Sequence, residues 1–559
     1  MKKLMKIMPA LTLAAVAFMA TSCGGDSGIK SAWNPSATEK PADLKATVTW
    51  WNNYAQPDAT MSEADARAKS TYTEYFFAKD VITEFNKLYP NITVNQVYKG
   101  GYGDIQTAVN TAINSGDTPS IATCYGDHVA GYIKAGAALD VSGCFDDKYI
   151  GFGKTVNASG VIVDDSTTTK ADFNQNYLAN EGKQYSDGLY YSMPYSKSAE
   201  TMAINQTVFD KVGAGLAGNP SFVYNKPTVP VYVPPVALAS KEKYEVPTNW
   251  SELIAIARKM KSDFPETFAN NVDSDGLFTA VPICWDSAEN MYISFSNMLG
   301  IPYTANGATV ADQVLFNNAD AKKMVAQIKK WNNEGLFATQ NQLYFSNKAK
   351  GYHQYSSTMV TNGKCFVAFS STAGATYFAD GNSFLATLNE TPTADASIYS
   401  GTKTTAKSKV ISQGPSLSFF KKSNEEEQKA SWIWYKFLTG TENTAKLGVA
   451  KSYFPVRVSS YSTSTVQKLT SASGTVTADS SYADKKNAYT GDVYKLDEIY
   501  AKDNRYISTP VFDLSSACRT AVGNLMKTVL DDKTATTDEQ INALVETAFT
   551  DAYKAVVTQ

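Results

Sequence analysis

The sequence predicts an α/β protein whose mainly parallel sheets are flanked by helices. Three observations lead there. Between Ala46 and Gly136 the chain alternates strand, helix, strand, helix, strand, the order of a parallel sheet covered on both faces. A second block, Ile411 to Arg457, reads as strand, helix, helix and extended exit. The 559 residues, 43% hydrophobic and 19% charged, describe a globular chain too long for one core of ordinary size.

The elements follow in order. Residues 1–23 read as a targeting segment, with Lys2, Lys3 and Lys6 ahead of the short apolar run Ala10 to Ala20. Ala20-Thr21-Ser22-Cys23 is similar to a bacterial lipobox, with Ala20 where leucine is usual, and makes Cys23 the candidate lipidation site. A cleaved signal with an incidental cysteine, or a membrane helix, is the other reading. Residues 24–45, rich in Gly, Ser, Ala and Pro, are expected to form a flexible stalk.

Ala46 to Trp51 is the first strand, and Ala78 to Leu88 a helix burying Val81, Ile82, Phe85 and Leu88 before Pro90 stops it. Ile92 to Tyr98 and Ser120 to Cys124 are strands; Tyr102 to Asn114 and His128 to Ala135 are helices. Asp187-Gly188, between apolar residues, signals a hairpin within Tyr185 to Pro194. Six prolines between Pro220 and Pro247 exclude regular structure throughout 214–247, which reads as a surface insertion. Helices are expected from Thr248 or Asn249 to Met260, Ser287 to Leu299 and Ala319 to Trp331, with strands at Ala280 to Cys284 and Phe366 to Phe369. Asn382 to Lys409 and Ser459 to Asn487 are polar and read as loops. Between them lie the strand Leu417 to Phe420 and a helix capped by Ser423 with Glu426, whose apolar face is Ala430, Ile433, Trp434 and Phe437. Leu514 to Val529 and Glu539 to Val557 close the chain as helices.

Composition excludes several classes of function. The chain carries a net charge of −3, which loss of the three lysines of the leader takes to −6, and no Lys/Arg run, so nucleic acid is not an expected partner and a strongly anionic solute is disfavoured. Its two histidines, His128 and His353, lie far apart and in no metal-binding spacing, and no phosphate loop is present, so no cofactor or metal is expected. Carboxylates are plentiful and none stands out as one of a glycosidase pair. Of the cysteines beyond Cys23, Cys124 and Cys144 either pair in an oxidising compartment or stay buried as thiols.

Several phrases resemble extracellular solute-binding proteins of ABC importers, the group that includes sugar-binding lipoproteins. They are Trp50-Trp51, Phe85 to Val94 (FNKLYPNITV), Gly116 to Ile121 (GDTPSI, with Ser120 where aspartate is usual), Gly136 to Val141 (GAALDV), Pro247 to Leu253 (PTNWSEL), Trp434 to Thr439 (WYKFLT) and Tyr453 to Arg457 (YFPVR). The resemblance implies a two-lobed periplasmic-binding-protein-like fold with three hinge crossovers, near 195–205, 411–418 and 458–505. The lobes would be 46–197 with 418–465, and 198–415 with 495–559. It also implies a non-enzymatic, monomeric receptor that is extracytoplasmic and lipid-anchored to a bacterial membrane. Such a receptor would deliver a mono- or oligosaccharide to permease subunits. A surface glycan hydrolase or lyase, or a glycan-capture protein without a permease, is the competing expectation.

With 33 Tyr, 26 Phe and 8 Trp the chain can offer aromatic faces to a sugar ring, and in an open α/β sheet the ligand groups belong at the carboxyl ends of strands. Trp51, Asn53 and Tyr54 follow the first strand, Trp51 serving either ligand or core. Tyr102 either meets ligand or starts its helix, and Asp127, beside His128, either meets ligand or caps one. Trp285 and Glu289 follow the strand ending at Cys284, with Trp285 the favoured stacking face. Ser371 follows the strand ending at Phe369. By the resemblance, Glu200, Gln413 and Arg505 lie at the crossovers, where Glu200 and Arg505 either bind solute or form salt bridges.

Overall fold

The computed structural model describes residues 40–205, 208–209, 244, 246–269, 271–344, 355–380, 386–394, 409–422, 424–477, 480–507 and 509–558. The leader with Cys23, nearly all of the expected insertion, His353 and Ser423 lie outside them. In chain order the main strands are β1 (Ala46–Asn52), β2 (Ile92–Tyr98), β3 (Ile121–Cys124), β4 (Ser192–Pro194) and β5 (Glu200–Asn205). They continue as β6 (Ile283–Trp285), β7 (Phe337–Thr339), β8 (Val367–Ser371), β9 (Ala386–Asn389) and β10 (Ser416–Phe419).

These strands make two five-stranded mixed sheets, one per lobe, in the orders β2-β1-β3-β10-β4 and β9-β5-β8-β6-β7. In the first, β1 runs parallel to β2 and β3, while β10 is antiparallel to both β3 and β4. In the second, β6 runs parallel to β7 and β8, while β5 is antiparallel to β8 and β9. One strand in each sheet is thus reversed, and it is the strand entered on arrival from the other sheet: β5 follows β4, and β10 follows β9. The arriving chain starts at the gap between sheets and runs outward, whereas its neighbours end at the gap. The two connecting segments lie side by side there, since Ser198 and Gln413 exchange backbone hydrogen bonds of 3.0 and 2.7 Å.

The helices cover the sheets: α1 (Thr73–Leu88), α2 (Tyr102–Ser115), α3 (Gly126–Lys134), α4 (Gln175–Lys183), α5 (Trp250–Asp263), α6 (Ala288–Met298) and α7 (Ala319–Asn333). After β10 come α8 (Glu425–Leu438), α9 (Thr441–Lys451), α10 (Ser464–Ala472), α11 (Tyr482–Lys502), α12 (Ser515–Asp531) and α13 (Asp538–Val557). Side chains cap the first turns of several of them: Asn249 accepts from Glu252 N–H, Ser287 from Asn290, Asn318 from Ala321 and Asn424 from Glu426. Asn424, not Ser423, is therefore the N-cap of α8. Trp432 and Trp434 of that helix are fully buried, and Trp434 packs on Trp50 and Phe85 under the first sheet.

Four expectations need correction. The stretch 459–487 is largely helical: Thr463 and Ser481 cap α10 and α11, and Ala488, Tyr489, Val493, Tyr494, Leu496 and Tyr500 bury one side of α11. The polar stretch 382–409 contains β9, which pairs with β5. Asp187-Gly188 makes a turn but no hairpin, because Tyr185 bridges Val511 and β4 pairs with β10. The stalk ends earlier than 45, since Pro41–Asp43 forms a turn of 3-10 helix with Ala42 and Leu44 buried. Cys124 and Cys144 are buried free thiols, as are Cys284, Cys365 and Cys518.

Candidate functional site

The strand directions bring one set of ends to the gap between the lobes. There the carboxyl ends of β3, β6 and β8 and the amino ends of β5 and β10 surround a cavity of about 1180 Å³. Tyr125, Gly126, Asp127 and His128 reach it from β3 and the first turn of α3; Asp286, Ser287, Glu289 and Asn290 from β6 and α6; Ser370 and Ser371 from β8. Ser198, Glu200, Gln413 and Gly414 come from the connecting segments, and Tyr102 from the start of α2. One face of α12 closes the ring with Ser515, Ser516, Arg519, Thr520, Gly523, Asn524 and Lys527. Both lobes and both connections thus contribute, the arrangement that places ligands outside strand ends.

Eight of the twelve binding candidates from the sequence behave as the topology suggests. Tyr102, Asp127, His128, Glu200, Glu289, Ser371 and Gln413 all line the cavity. Asn53 stands outside the lining, beside Tyr102, whose pKa it lowers against the larger effect of burial. The Tyr102 ring packs 4.7 Å from that of Tyr125, and its hydroxyl lies 3.4 Å from that of Tyr453. Ser371 Oγ accepts from the Ala373 N–H at 3.2 Å and lies 3.4 Å from Ser198 Oγ. His128 is 8% exposed, and its buried Nδ1 has no partner among the described residues. Burial lowers its pKa, with Arg519 adding to that and Asp127 opposing, so the imidazole is neutral at neutral pH.

Four candidates are placed elsewhere. Trp285 was the expected stacking face, but β6 runs one residue further than its sequence suggested and carries the indole into the core. The side chain is 1% exposed and stacks on Phe369 at 4.4 Å and on Trp250 at 6.0 Å. Trp51 is likewise still inside β1, half-buried, with Lys99 Nζ 4.1 Å from its ring centroid. Tyr54 is buried, its hydroxyl 2.5 Å from that of Tyr195. Arg505 pairs with Glu390, and with Asp503 at 2.8 Å, and stands outside the cavity lining.

Glu200 is the most constrained carboxylate of the cavity wall. It is 2% exposed, and its oxygens accept from Trp285 Nε1 at 2.8 Å and Ser294 Oγ at 3.2 Å. Burial pushes its pKa up to about 7, against hydrogen bonds from Trp285, Asn290 and Ser294 and the charge of Arg519. Asp286 is raised to about 6 by burial and accepts the Ser356 N–H at 2.8 Å. Among the described residues no group of His, Cys, Asp and Glu is placed to hold a metal ion, and no helix is long and apolar enough to cross a membrane.

Sequence reasoning missed Arg519, Lys527, Asn290 and five tyrosines of the wall: Tyr125, Tyr303, Tyr355, Tyr377 and Tyr453. Tyr125 directly follows β3 and was within reach of the strand-end rule. Arg519 was not, because it lies in the middle of a helix, on a polar face that ordinarily meets water.

A scan of protein families matches residues 80–473 to the bacterial extracellular solute-binding protein family. No curated protein sequence matches the chain. Among solved structures, the GacH receptor of Streptomyces glaucescens, studied unliganded and with acarbose, is similar at 14% identity and a TM-score of 0.55, covering 92% of this chain and 99% of that one. UgpB from Mycobacterium tuberculosis, in complex with glycerophosphocholine, gives 15% identity and 0.56 over 92% and 98%. MalE of Bdellovibrio bacteriovorus, bound to maltotriose, gives 12% and 0.53 over 90% and 99%. These likenesses establish the two-lobed fold, and the match over residues 80–473 establishes that the chain belongs to the bacterial extracellular solute-binding protein family.

Proposed function

We propose that this protein is the solute receptor of an ABC importer and holds a carbohydrate between its lobes. The observation that carries the reading is the composition of the cavity wall. Six tyrosines, Tyr102, Tyr125, Tyr303, Tyr355, Tyr377 and Tyr453, alternate with acceptors and donors such as Asp127, His128, Glu289, Ser371, Gln413 and Asn524. Tyrosine faces suit the C–H faces of a pyranose, and the polar groups suit its hydroxyls. Two of the similar structures, bound to acarbose and to maltotriose, hold saccharides, which supports the same choice here.

In this reading Tyr102, Asp127, His128, Glu289, Ser371 and Gln413 contact solute, while Asn53, Glu200 and Trp285 position the groups that do. The lobes divide as 46–197 with 418–465 and 198–415 with 495–559. Closure on the solute presents a new surface to permease subunits, a population shift driven by differential affinity. Cys23 carries a lipid that keeps the monomeric receptor at the membrane, outside the cytoplasm.

The test is a thermal-shift and calorimetric screen of sugars, oligosaccharides, polyamines, peptides and glycerol phosphodiesters. Stabilisation by saccharides alone is expected, about 2.7 kcal/mol at a hundredfold excess over Kd. Stabilisation by a non-saccharide class, with none by saccharides, rejects the reading.

A further inference from the structure

Arg519 stands in the cavity wall with its charge unmatched. It donates to Oδ1 of Asn290, and among the described residues it forms no ion pair. Its charge is felt at Tyr125 and His128 on one lobe and at Glu200 and Tyr303 on the other, so the guanidinium sits where the lobes meet. A partly buried guanidinium with one neutral partner keeps much of its desolvation cost.

Other donors face the same space. The 17-residue helix α12 starts without a side-chain cap, and Ser515 and Ser516 of its first turn line the cavity; the Ser515 N–H is taken by the Phe512 carbonyl at 2.9 Å, and the positive end of the helix dipole lies there. The buried Nδ1 of His128 has no partner among the described residues. Lys527 lines the cavity on the face of α12 that carries Arg519, two turns and about 12 Å further along. The acceptors nearby are partly engaged already: Glu200 by Trp285 and Ser294, and Asp286 by the Ser356 N–H. Asp127 and Glu289 remain to take hydroxyls.

We propose that the solute is an acidic saccharide, a sugar or short oligosaccharide bearing a carboxylate, with that carboxylate seated on Arg519 between the first turn of α12 and His128. A planar carboxylate matches the guanidinium fork, and such charge-assisted pairs are about twice as strong as neutral hydrogen bonds. The missing Lys/Arg run, which argued against a strongly anionic solute, does not bear on a single carboxylate met by one arginine. The inference rests on the saccharide reading above.

The experiment titrates the purified protein with uronate-containing di- to tetrasaccharides, their methyl esters, and neutral oligosaccharides of the same linkages. Esterification removes the charge while leaving the protein untouched. The acid is expected to bind at least about tenfold tighter than its ester, less so at high salt. Arg519→Gln, checked for its melting temperature, is expected to erase the difference, and Arg519→Lys to keep part of it. Equal binding of acid and ester, or neutral oligosaccharides weakened by Arg519→Gln as much as acids are, overturns the carboxylate assignment and leaves the saccharide reading standing. Failure of every saccharide, acidic and neutral, to bind the folded protein overturns both.

Discussion

The indole Nε1–H of Trp285 donates to Oε1 of Glu200 at 2.8 Å, joining the end of β6 to the start of β5 beneath the cavity. The Trp285 ring is walled in by Phe369, Trp250 and Phe295. Trp285→Ala is therefore expected to lower the stability of the ligand-free protein by about 3–5 kcal/mol, as a core tryptophan does. Trp285→Phe should retain more of the packing and expose the loss of the hydrogen bond. Denaturant melts of the two variants separate these effects; a Trp285→Ala protein as stable as the parent would return the indole to the ligand site.

Glu200 makes stability depend on pH. Its pKa is about 7 in the folded protein and near the ordinary value of 4.5 when unfolded. Between these values the folded state holds the proton and the unfolded state does not. Stability contributed by protonated Glu200 is thus fully present below 4.5 and is lost as pH rises to 7, a slope worth up to about 3 kcal/mol. Glu200→Gln is expected to flatten that part of the profile, which melts in a pH series can follow. Asp286 and Asp497, each raised to about 6, contribute similar slopes in a lower window and remain in the variant.

Gly414 fixes the crossing of the two connecting segments. Its φ is +82°, and a Cβ there would lie 2.1 Å from the Ser196 carbonyl oxygen. Backbone on both sides prevents an easy retreat. Gly414→Ala should destabilise by more than the roughly 1 kcal/mol of an ordinary surface change, and should alter solute affinity through the hinge. Melting and calorimetry on the variant measure both.

Much of this architecture was legible because local signals and burial agreed. Val81, Phe85 and the stop at Pro90 announced α1, and Gly116 to Ile121 announced the turn into β3. The site was legible where it followed strand ends by three or four residues, as with Asp127, His128 and Glu289, and at the crossovers, as with Glu200 and Gln413. Trp285 failed because its strand runs on by a single residue, which converts a loop side chain into a packed one; Trp51 ends up inside β1, half-buried and outside the cavity lining. Arg519 failed for another reason, since nothing in a helical polar face says whether it meets water or a second lobe. The long polar stretch after Ser459 hid α11 because its tyrosines and alanines carry a weak apolar signal that only tertiary burial completes.

Asp497 is buried at 2% exposure and accepts from the hydroxyls of Tyr177, Tyr461 and Tyr506, the last at 2.5 Å. These residues come from α4, the segment before α10, and the strand after α11, so the cluster ties the first lobe to the returning chain. Asp497→Leu should destabilise strongly, because three hydroxyls lose their carboxylate acceptor, at about 1–3 kcal/mol for each one left buried and unpaired, with only the Tyr177–Tyr506 contact remaining. Tyr461→Phe should cost about 1 kcal/mol, since two donors remain. Chemical denaturation of both variants checks the ratio.

Tyr102 and Trp51 are two aromatics of the first lobe, one at the start of α2 and one near the end of β1. Tyr102 lines the cavity, and its ring and hydroxyl meet Tyr125 and Tyr453. Trp51 packs outside that wall under Lys99. If a pyranose lies against the tyrosines, Tyr102→Ala loses a face worth about 0.5–1.5 kcal/mol beyond its buried area, and affinity should fall roughly tenfold or more. Trp51→Ala should leave affinity within a factor of about two to three and act on stability instead, through lost packing and a lost cation–π contact. Calorimetry with whichever saccharide the screen identifies, paired with melting of both ligand-free variants, gives four numbers. A stable Tyr102→Ala protein with unchanged affinity would remove the tyrosine wall from the site. A stable Trp51→Ala protein with tenfold weaker binding would place the solute on the other side of β1 and move the site from the cavity that the strand directions define.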